Sequence, residues 1–336
     1  MRVAEHLSTV DGLPARDYTT GAMNPLVSIG IPCFNAERWI GAAIESALAQ
    51  TWMPLEVIVV DDGSSDGSLE IARGFGDRIQ LLAGAHGGGN RARNQALAHA
   101  RGEWVQFLDA DDYLEPEKIA QQLAEAEFGA HADVIHSPYW CENLIDGGGS
   151  RTLSRVGAHE DLFSQWLSWE IAQTGAALWR KAALERIGGW KEGQPCCQEH
   201  ELYLRAMKAE LRFVFAPTPG AVYRIWSNAT VCRKDQPRTI EVRTGLTEDL
   251  HAWMLARNLW TETHAAVAGQ SFFEMARSLA TSDLAHATAY HDERRARGLL
   301  RVGGPAAPRG YQLVYRALGF RAAERLAATR RRLLGT

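Results

Sequence analysis

"EWVQFLDADDYLEP" occupies residues 103–116, and its reading decides the fold. Residues 103–108 are a short, mostly apolar run bounded by a glycine and an acidic cluster, the pattern of a buried strand. Directly after it, Asp109, Asp111 and Asp112 stand within four positions. Like charges repel, and desolvating them together is costly unless a cation or hydrogen-bond donors offset it. Pro116 then opens a helix, "PEKIAQQLAEAEF", over 116–128. Strand, acidic loop and helix in that order place a ligand site at the carboxyl end of a strand in an open α/β sheet.

The same alternation extends outward. "LVSIGI" (26–31) reads as a buried strand, and "ERWIGAAIESALAQ" (37–50) as a helix with apolar residues at helical spacing. "LEVIVV" (55–60) is a second strand running into "DDGSSDGS", where Ser65 or Asp66 is placed to cap the helix that follows. "RIQLLA" (78–83) is a third strand, and "GGGN" (87–90) leads into a helix over 91–100. With "DVIHSP" (133–138), the series predicts an α/β, Rossmann-like, mostly parallel sheet with helices on both faces. The middle of the chain is less regular. "IDGGGSR" (145–151) reads as a turn, and residues 169–190 as a loop passing into a short helix. "EHELYLRAMKAE" (199–210) is a helix, and "RFVFAP" and "AVYRIW" are late strands. These readings divide the chain into a flexible leader (1–25), a catalytic domain (26–238), a helical extension (239–300), a breaker-rich linker (301–310) and a basic amphipathic helix (311–336).

Composition narrows the class. The 336 residues are 46% apolar and 23% charged, as in an ordinary globular protein, and the net charge of −4 argues against a nucleic-acid binder. No apolar run reaches 18 residues, and residues 1–25 lack the apolar core of a signal peptide. The five cysteines (33, 141, 196, 197, 232) are odd in number and lack framework spacing, which suits reduced thiols and a cytoplasmic location. "CCQEH" (196–200) is a poor chelate, because adjacent cysteines rarely bind one ion well and no second pair exists.

Three strand ends carry unusual loops: "PCFNAE", "DDGSSD" and "DADD". The mouth they form is already acidic from Asp61 and Asp62. A solvated loop with a helix cap is the simpler account of "DADD". A hard divalent cation, held by one or two carboxylates and by substrate phosphates, is the account that resolves the repulsion. No G-x-G-x-x-G follows the first strand and no P-loop occurs anywhere.

These residues carry a resemblance. "VSIGIPCFNAERWIGAAIESALAQTWMPLEVIVVDDGSSDGSLEIA" and "GNRARNQALAHARGEWVQFLDADDYLEPEKI" resemble the donor half of family 2 glycosyltransferases of the GT-A fold, over about residues 26–230. The resemblance implies donor-site roles for Pro32, Phe34, Asn35 and Glu37 in the first loop and for Asp62, which would bond the base. It implies that Arg93 and Asn94 lie near the ribose and diphosphate. Asp109 and Asp111 match the DxD motif, Asp111 as the metal ligand and Asp109 near the ribose and metal water; the implied cofactor is Mn²⁺ or Mg²⁺. "QEHELYLRAM" (198–207) resembles the segment that supplies the catalytic base, which puts Glu199 in that role, with His200 as a competing base. Trp179 and Trp190 are either acceptor-site walls or core residues. One departure stands out: Trp226 follows "YRI" where many relatives place a histidine.

The function implied is inverting sugar transfer from a nucleotide-sugar, most often a UDP-sugar, to a glycan or lipid-linked acceptor in envelope or exopolysaccharide synthesis. A sugar-1-phosphate nucleotidyltransferase would need a G-x-G-x-R-type loop after the first strand, and "PCFNAE" is not one. A non-catalytic sugar-nucleotide-binding protein would lack the base segment. The tail 311–336 holds six arginines and one glutamate among leucines, a pattern that suits either an anionic membrane face or packing on the protein's own body.

Overall fold

The computed structural model describes residues 24–125, 131–145, 149–159, 161–227 and 235–334. Most of the expected leader therefore lies outside the described residues, as do the end of the 116–128 helix and the tip of the 145–151 turn.

The first strand, β1 (Val27–Cys33), is almost wholly buried: Val27, Ile29 and Ile31 fill one face, and Ser28 and Gly30 on the other let neighbouring elements approach closely. It pairs in parallel with β2 (Leu55–Asp61) and β4 (Trp104–Phe107), and β2 pairs in parallel with β3 (Gln80–Ala83). The helices α1 (Ile40–Leu48), α2 (Ser68–Arg73) and α3 (Gly89–His99) connect these strands. Gly30 lets α3 lie close to the sheet: a Cβ there would sit 2.9 Å from the Ala96 Cβ. After the short β5 (Tyr113–Leu114), α4 (Lys118–Glu125) leads to β6 (Val134–His136).

The main sheet has seven strands in the order β10 (Phe213–Phe215), β6, β9 (Ala177–Arg180), β4, β1, β2 and β3, flanked by helices. Its surprise is β9 (Ala177–Arg180), which runs antiparallel between β4 and β6. The sequence reading passed residues 169–190 from loop to helix without a strand. "AALWR" has the composition of a helix, yet Ala177, Leu178 and Trp179 are buried between two pairing strands, and that placement overrides propensity. A second sheet, β5-β11-β7-β8, joins β7 (Trp140–Asn143), β8 (Ser150–Leu153) and β11 (Ala221–Ile225) to β5. The helices α5 (Leu162–Leu167), α6 (Lys181–Arg186) and α7 (Gln198–Lys208) precede β10 (Phe213–Phe215).

Three helices then pack beyond the sheet: α8 (Gln236–Leu255), α9 (Glu262–Leu279) and α10 (Leu284–Ala296). Each starts at a side-chain cap, from Asp235, Thr261 and Asp283 respectively, satisfying amides that a helix start leaves unpaired. The last helix, α11 (Arg309–Leu334), is broken at Gly319, whose φ of 78° is one that only glycine adopts freely. Beyond the break, Phe320 lies flat on His291 with ring centroids 4.4 Å apart. Glu324, 1% exposed, pairs with Arg277 at 2.6 Å. The inner face of the basic helix is thus packed on α9 and α10, while Leu313, Leu318, Leu326 and Leu333 face out.

Candidate active site

The site gathers at the carboxyl ends of β1, β2 and β4. The loops after β1 and β2 are sewn together: Asn35 accepts from the Ser65 amide at 2.8 Å, Glu37 from the Gly67 amide at 2.8 Å, and the Ala36 amide donates to Ser68 at 2.8 Å. Pro32 lies within β1 opposite Val60. Phe34 is 46% exposed, so it is no core residue; its ring stacks on His86 at 4.1 Å. Asp62 is buried and accepts from the Gly87 and Gly88 amides, both at 2.8 Å, with His86 2.9 Å away. Its carboxylate therefore shapes the "GGGN" loop.

The α3 helix contributes Arg93 and Asn94. Arg93 is buried, reaches Asp109 at 2.5 Å and lies over the Trp190 ring at 4.7 Å. Asn94 brackets Trp190, accepting from its amide and donating to its carbonyl, both at 2.8 Å. Trp190 and Trp179 are 3% and 1% exposed, so both are packing residues rather than acceptor-site walls. Asn94 accordingly ties the donor-side helix to the segment that leads into α7.

The acidic cluster divides its labour. Asp109 pairs with Arg93. Asp111 accepts a hydrogen bond from the Trp226 indole N–H at 2.8 Å. Burial and the neighbouring Asp109 charge raise the Asp111 pKa above the ordinary carboxylate range, against the opposing effect of that indole. Asp112 is fully buried and accepts from the Arg224 amide at 2.8 Å and from the Gln173 side chain at 2.7 Å. Burial, then the charges of Asp111 and Asp109, push its pKa well up.

A divalent cation has a plausible seat here. Among the described residues, no group of three or more His, Cys, Asp or Glu side chains is arranged to hold a metal. Asp109 and Asp111 are hard oxygen donors whose mutual repulsion a cation relieves. Trp226 supplies only a donor N–H and cannot ligate. The residues fit a cation such as Mn²⁺ or Mg²⁺ that brings most of its ligands with it as phosphate and water.

Glu199 lies in the first turn of α7, half-buried, and accepts from the Thr174 hydroxyl at 2.6 Å. Its negative charge acts on Arg93, which in turn holds Asp109. His200, the competing base, is stacked on Trp169 at 3.8 Å, and its buried Nε2 has no hydrogen-bond partner among the described residues. Burial, aided by the Arg243 charge, pulls its pKa well below the usual range. Sequence reasoning missed Gln173, Thr174 and Arg224. A local signal existed only in the backbone: Asn35, Trp169 and Cys197, all beside the site, adopt positive φ without being glycine.

A mixed, helix-flanked sheet with an acidic cluster at its strand ends and a carboxylate on a neighbouring helix defines the GT-A fold. Residues 28–188 match the sequence profile of Glycosyl transferase family 2. An uncharacterized glycosyltransferase of Rickettsia typhi is 42% identical over 123 residues, 37% of this chain and 38% of the relative. The chondroitin synthase of Pasteurella multocida is 40% identical over 104 residues, 30% of this chain and 11% of the synthase. The aligned stretch thus spans well under half the length of these relatives. Residues 1–349 of Staphylococcus aureus TarS, solved with UDP-GlcNAc, superpose with a TM-score of 0.62 at 18% identity, covering 90% of this chain and 91% of that fragment. The mannosyltransferase PcManGT of Pyrobaculum calidifontis, solved with GDP-Man and Mn²⁺, gives 0.51 at 18% identity, covering 93% and 88%. At these identities the likeness is one of fold.

Proposed function

We propose that the chain is an inverting glycosyltransferase that moves a sugar from a nucleotide-sugar, foremost a UDP-sugar, to an acceptor hydroxyl in cell-envelope or exopolysaccharide synthesis. The observation that supports this reading is geometric: Arg93 pairs with Asp109 of the donor-side cluster, and Glu199, in the first turn of α7, lies near enough for its charge to act on Arg93. Asp109 and Asp111 would hold Mn²⁺ or Mg²⁺, which when bound neutralises charge on the departing diphosphate, a contribution of several kcal/mol. Glu199 takes the proton of the acceptor hydroxyl. The acceptor oxygen bonds to the anomeric carbon as the bond to the diphosphate breaks, and the electron pair leaves with the phosphate. Attack opposite the leaving group inverts that carbon. The base contributes on the order of 10²–10⁴ in rate.

Pro32, Phe34, Asn35 and Glu37 form the floor of the donor loop in this reading, and Asp62 supports the base side through the loop it braces. The ligands named for TarS and PcManGT support a nucleotide-sugar donor, and the synthase among the relatives supports a polysaccharide acceptor. Two measurements test the proposal. A thermal-shift screen of UDP- and GDP-sugars, with and without Mn²⁺ or Mg²⁺, should show metal-dependent stabilisation by one donor class. Glu199→Gln should then lose two to four orders of magnitude in turnover while binding that donor unchanged. Full turnover in the variant removes Glu199 from the mechanism.

A further inference from the structure

The third aspartate of the cluster faces away from any donor role, and the structure shows what it touches. Residues 173–176 form a tight turn, a 3₁₀ segment over Thr174–Ala176, wedged between the acidic cluster and α7. Its carbonyls are held from beneath: Gln106 donates to the Gly175 carbonyl and Gln122 to the Ala176 carbonyl, each at 2.9 Å. Its flank is held by Asp112. The Gly175 amide can only donate, and it donates to Gln173 Oε1 at 2.9 Å. That fixes which end of the Gln173 amide is oxygen and turns its NH₂ toward Asp112, 2.7 Å away. The Arg224 amide occupies the other Asp112 oxygen. Asp112, Gln173 and the turn therefore hold one another in a single arrangement. At the tip of the turn is Thr174, 4% exposed, whose hydroxyl donates to Glu199 Oε1.

We propose that Thr174 is a positioning residue for Glu199, and that Asp112 acts through Gln173 to keep Thr174 in place. The inference rests on the assignment of Glu199 as the base. The hydroxyl holds one carboxylate oxygen and leaves the other for the acceptor proton. A base on the first turn of a helix otherwise swings about its own side-chain torsions, and small displacements of a catalytic group cost rate steeply. Arg93, Tyr139 and Tyr203 also lie within electrostatic reach of Glu199. The cluster "DADD" then has two functions, with Asp109 and Asp111 toward the donor and Asp112 toward the base.

The test is a double-mutant cycle in the full chain, read as nucleoside diphosphate released from the donor found in the thermal-shift screen, UDP-GlcNAc and GDP-mannose being tried first. Thr174→Val keeps the shape and removes the donor; it should lower kcat about 10- to 100-fold, the effect of one hydrogen bond to a charged group, with donor KM unchanged. Thr174→Ser should recover turnover to within about threefold. In the Glu199→Gln background, Thr174→Val should add no further loss, since the two act as one unit. An equal loss in both backgrounds, or full activity of Thr174→Val, overturns the inference while leaving the base assignment standing. Full activity of Glu199→Gln overturns both. A structure of Thr174→Val supplies a substrate-free readout: a Glu199 carboxylate that stays where Thr174 held it also overturns the inference.

Discussion

Trp226 is a residue at which this chain departs from the family it resembles. Its indole N–H takes up one oxygen of Asp111 and offers a cation nothing. Two variants separate these effects. Asp111→Ala should abolish Mn²⁺-dependent UDP binding with an unchanged melting temperature. Trp226→His should tighten Mn²⁺ in the presence of UDP, by roughly tenfold if the imidazole joins the coordination shell. Calorimetric titration of Mn²⁺ into each variant with UDP present reads both, and unaltered affinity in Trp226→His would show that this side chain does not reach the ion. Burial also acts on residues far from the cleft. His136, at the end of β6, is driven down to about 4 because its neutral ring is buried against Phe213 and Phe215. Its folded pKa lies below the unfolded value of 6.5, so stability is whole above pH 6.5 and is lost as pH falls toward 4. The loss is on the order of 3 kcal/mol. Urea titrations at pH 7 and 4.5 should show it in the wild type and show it reduced in His136→Gln. At this scale Asp109 and Asp111 stand out in the sequence because charge at a strand end is costly, whereas Arg93 and Glu199, on helices, are marked only by the resemblance to the family. The sequence did not mark the partners of Asp62 and Asp112, which are backbone amides and a glutamine brought from 25 to 112 positions away.

Among the elements, those with a strong period were legible and the one with a borrowed environment was not. β1 and β2 follow from their β-branched residues, β4 from a short, mostly apolar run that ends at the acidic cluster, and α3 from the helical stretch after the glycine-rich loop. β9 follows only from the slot it fills, because its alanines read as helix until two strands pair with it. The last helix was legible as a helix, but its inner contacts were not, since Phe320 and Glu324 look exposed in a pattern dominated by arginine. Their contacts are strong enough to test. Glu324 is buried against Arg277, so Arg277→Ala leaves the carboxylate with only the more distant Arg331, 4.0 Å away, and should cost up to about 3–5 kcal/mol. Replacing both by leucine should cost much less. Denaturant midpoints of the two variants give the comparison, and equal losses would mean that the pair is not what anchors the helix.

For the whole molecule, charge is divided unevenly. The net −4 is a tail of +5 over 311–336 on a remainder of −9. Among the described residues, no helix is long and apolar enough to cross a membrane. The outer face of α11 instead mixes exposed leucines with Arg316, Arg321, Arg325 and Arg330, and we propose that it rests on the anionic inner face of the plasma membrane, each arginine near the surface adding roughly 1 kcal/mol. Deleting the helix would also strip Phe320 and Glu324 from the body, so charge reversal is the cleaner probe. Wild type should pellet with anionic liposomes at low salt and release at high salt, whereas Arg321→Glu with Arg325→Glu and Arg330→Glu should stay in solution. Wild type that stays in the supernatant at low salt points to a soluble acceptor. The threading of the main sheet has a consequence for synthesis on the ribosome. β4 and β6 emerge with a vacant lane between them, and the strand that fills it begins at Ala177, 41 positions after His136. For that interval both flanking edges are open to pairing with other nascent chains. Truncations that stop between these points should be insoluble although every donor loop is present, and a cut just after His136 divides the gene at no independent folding unit.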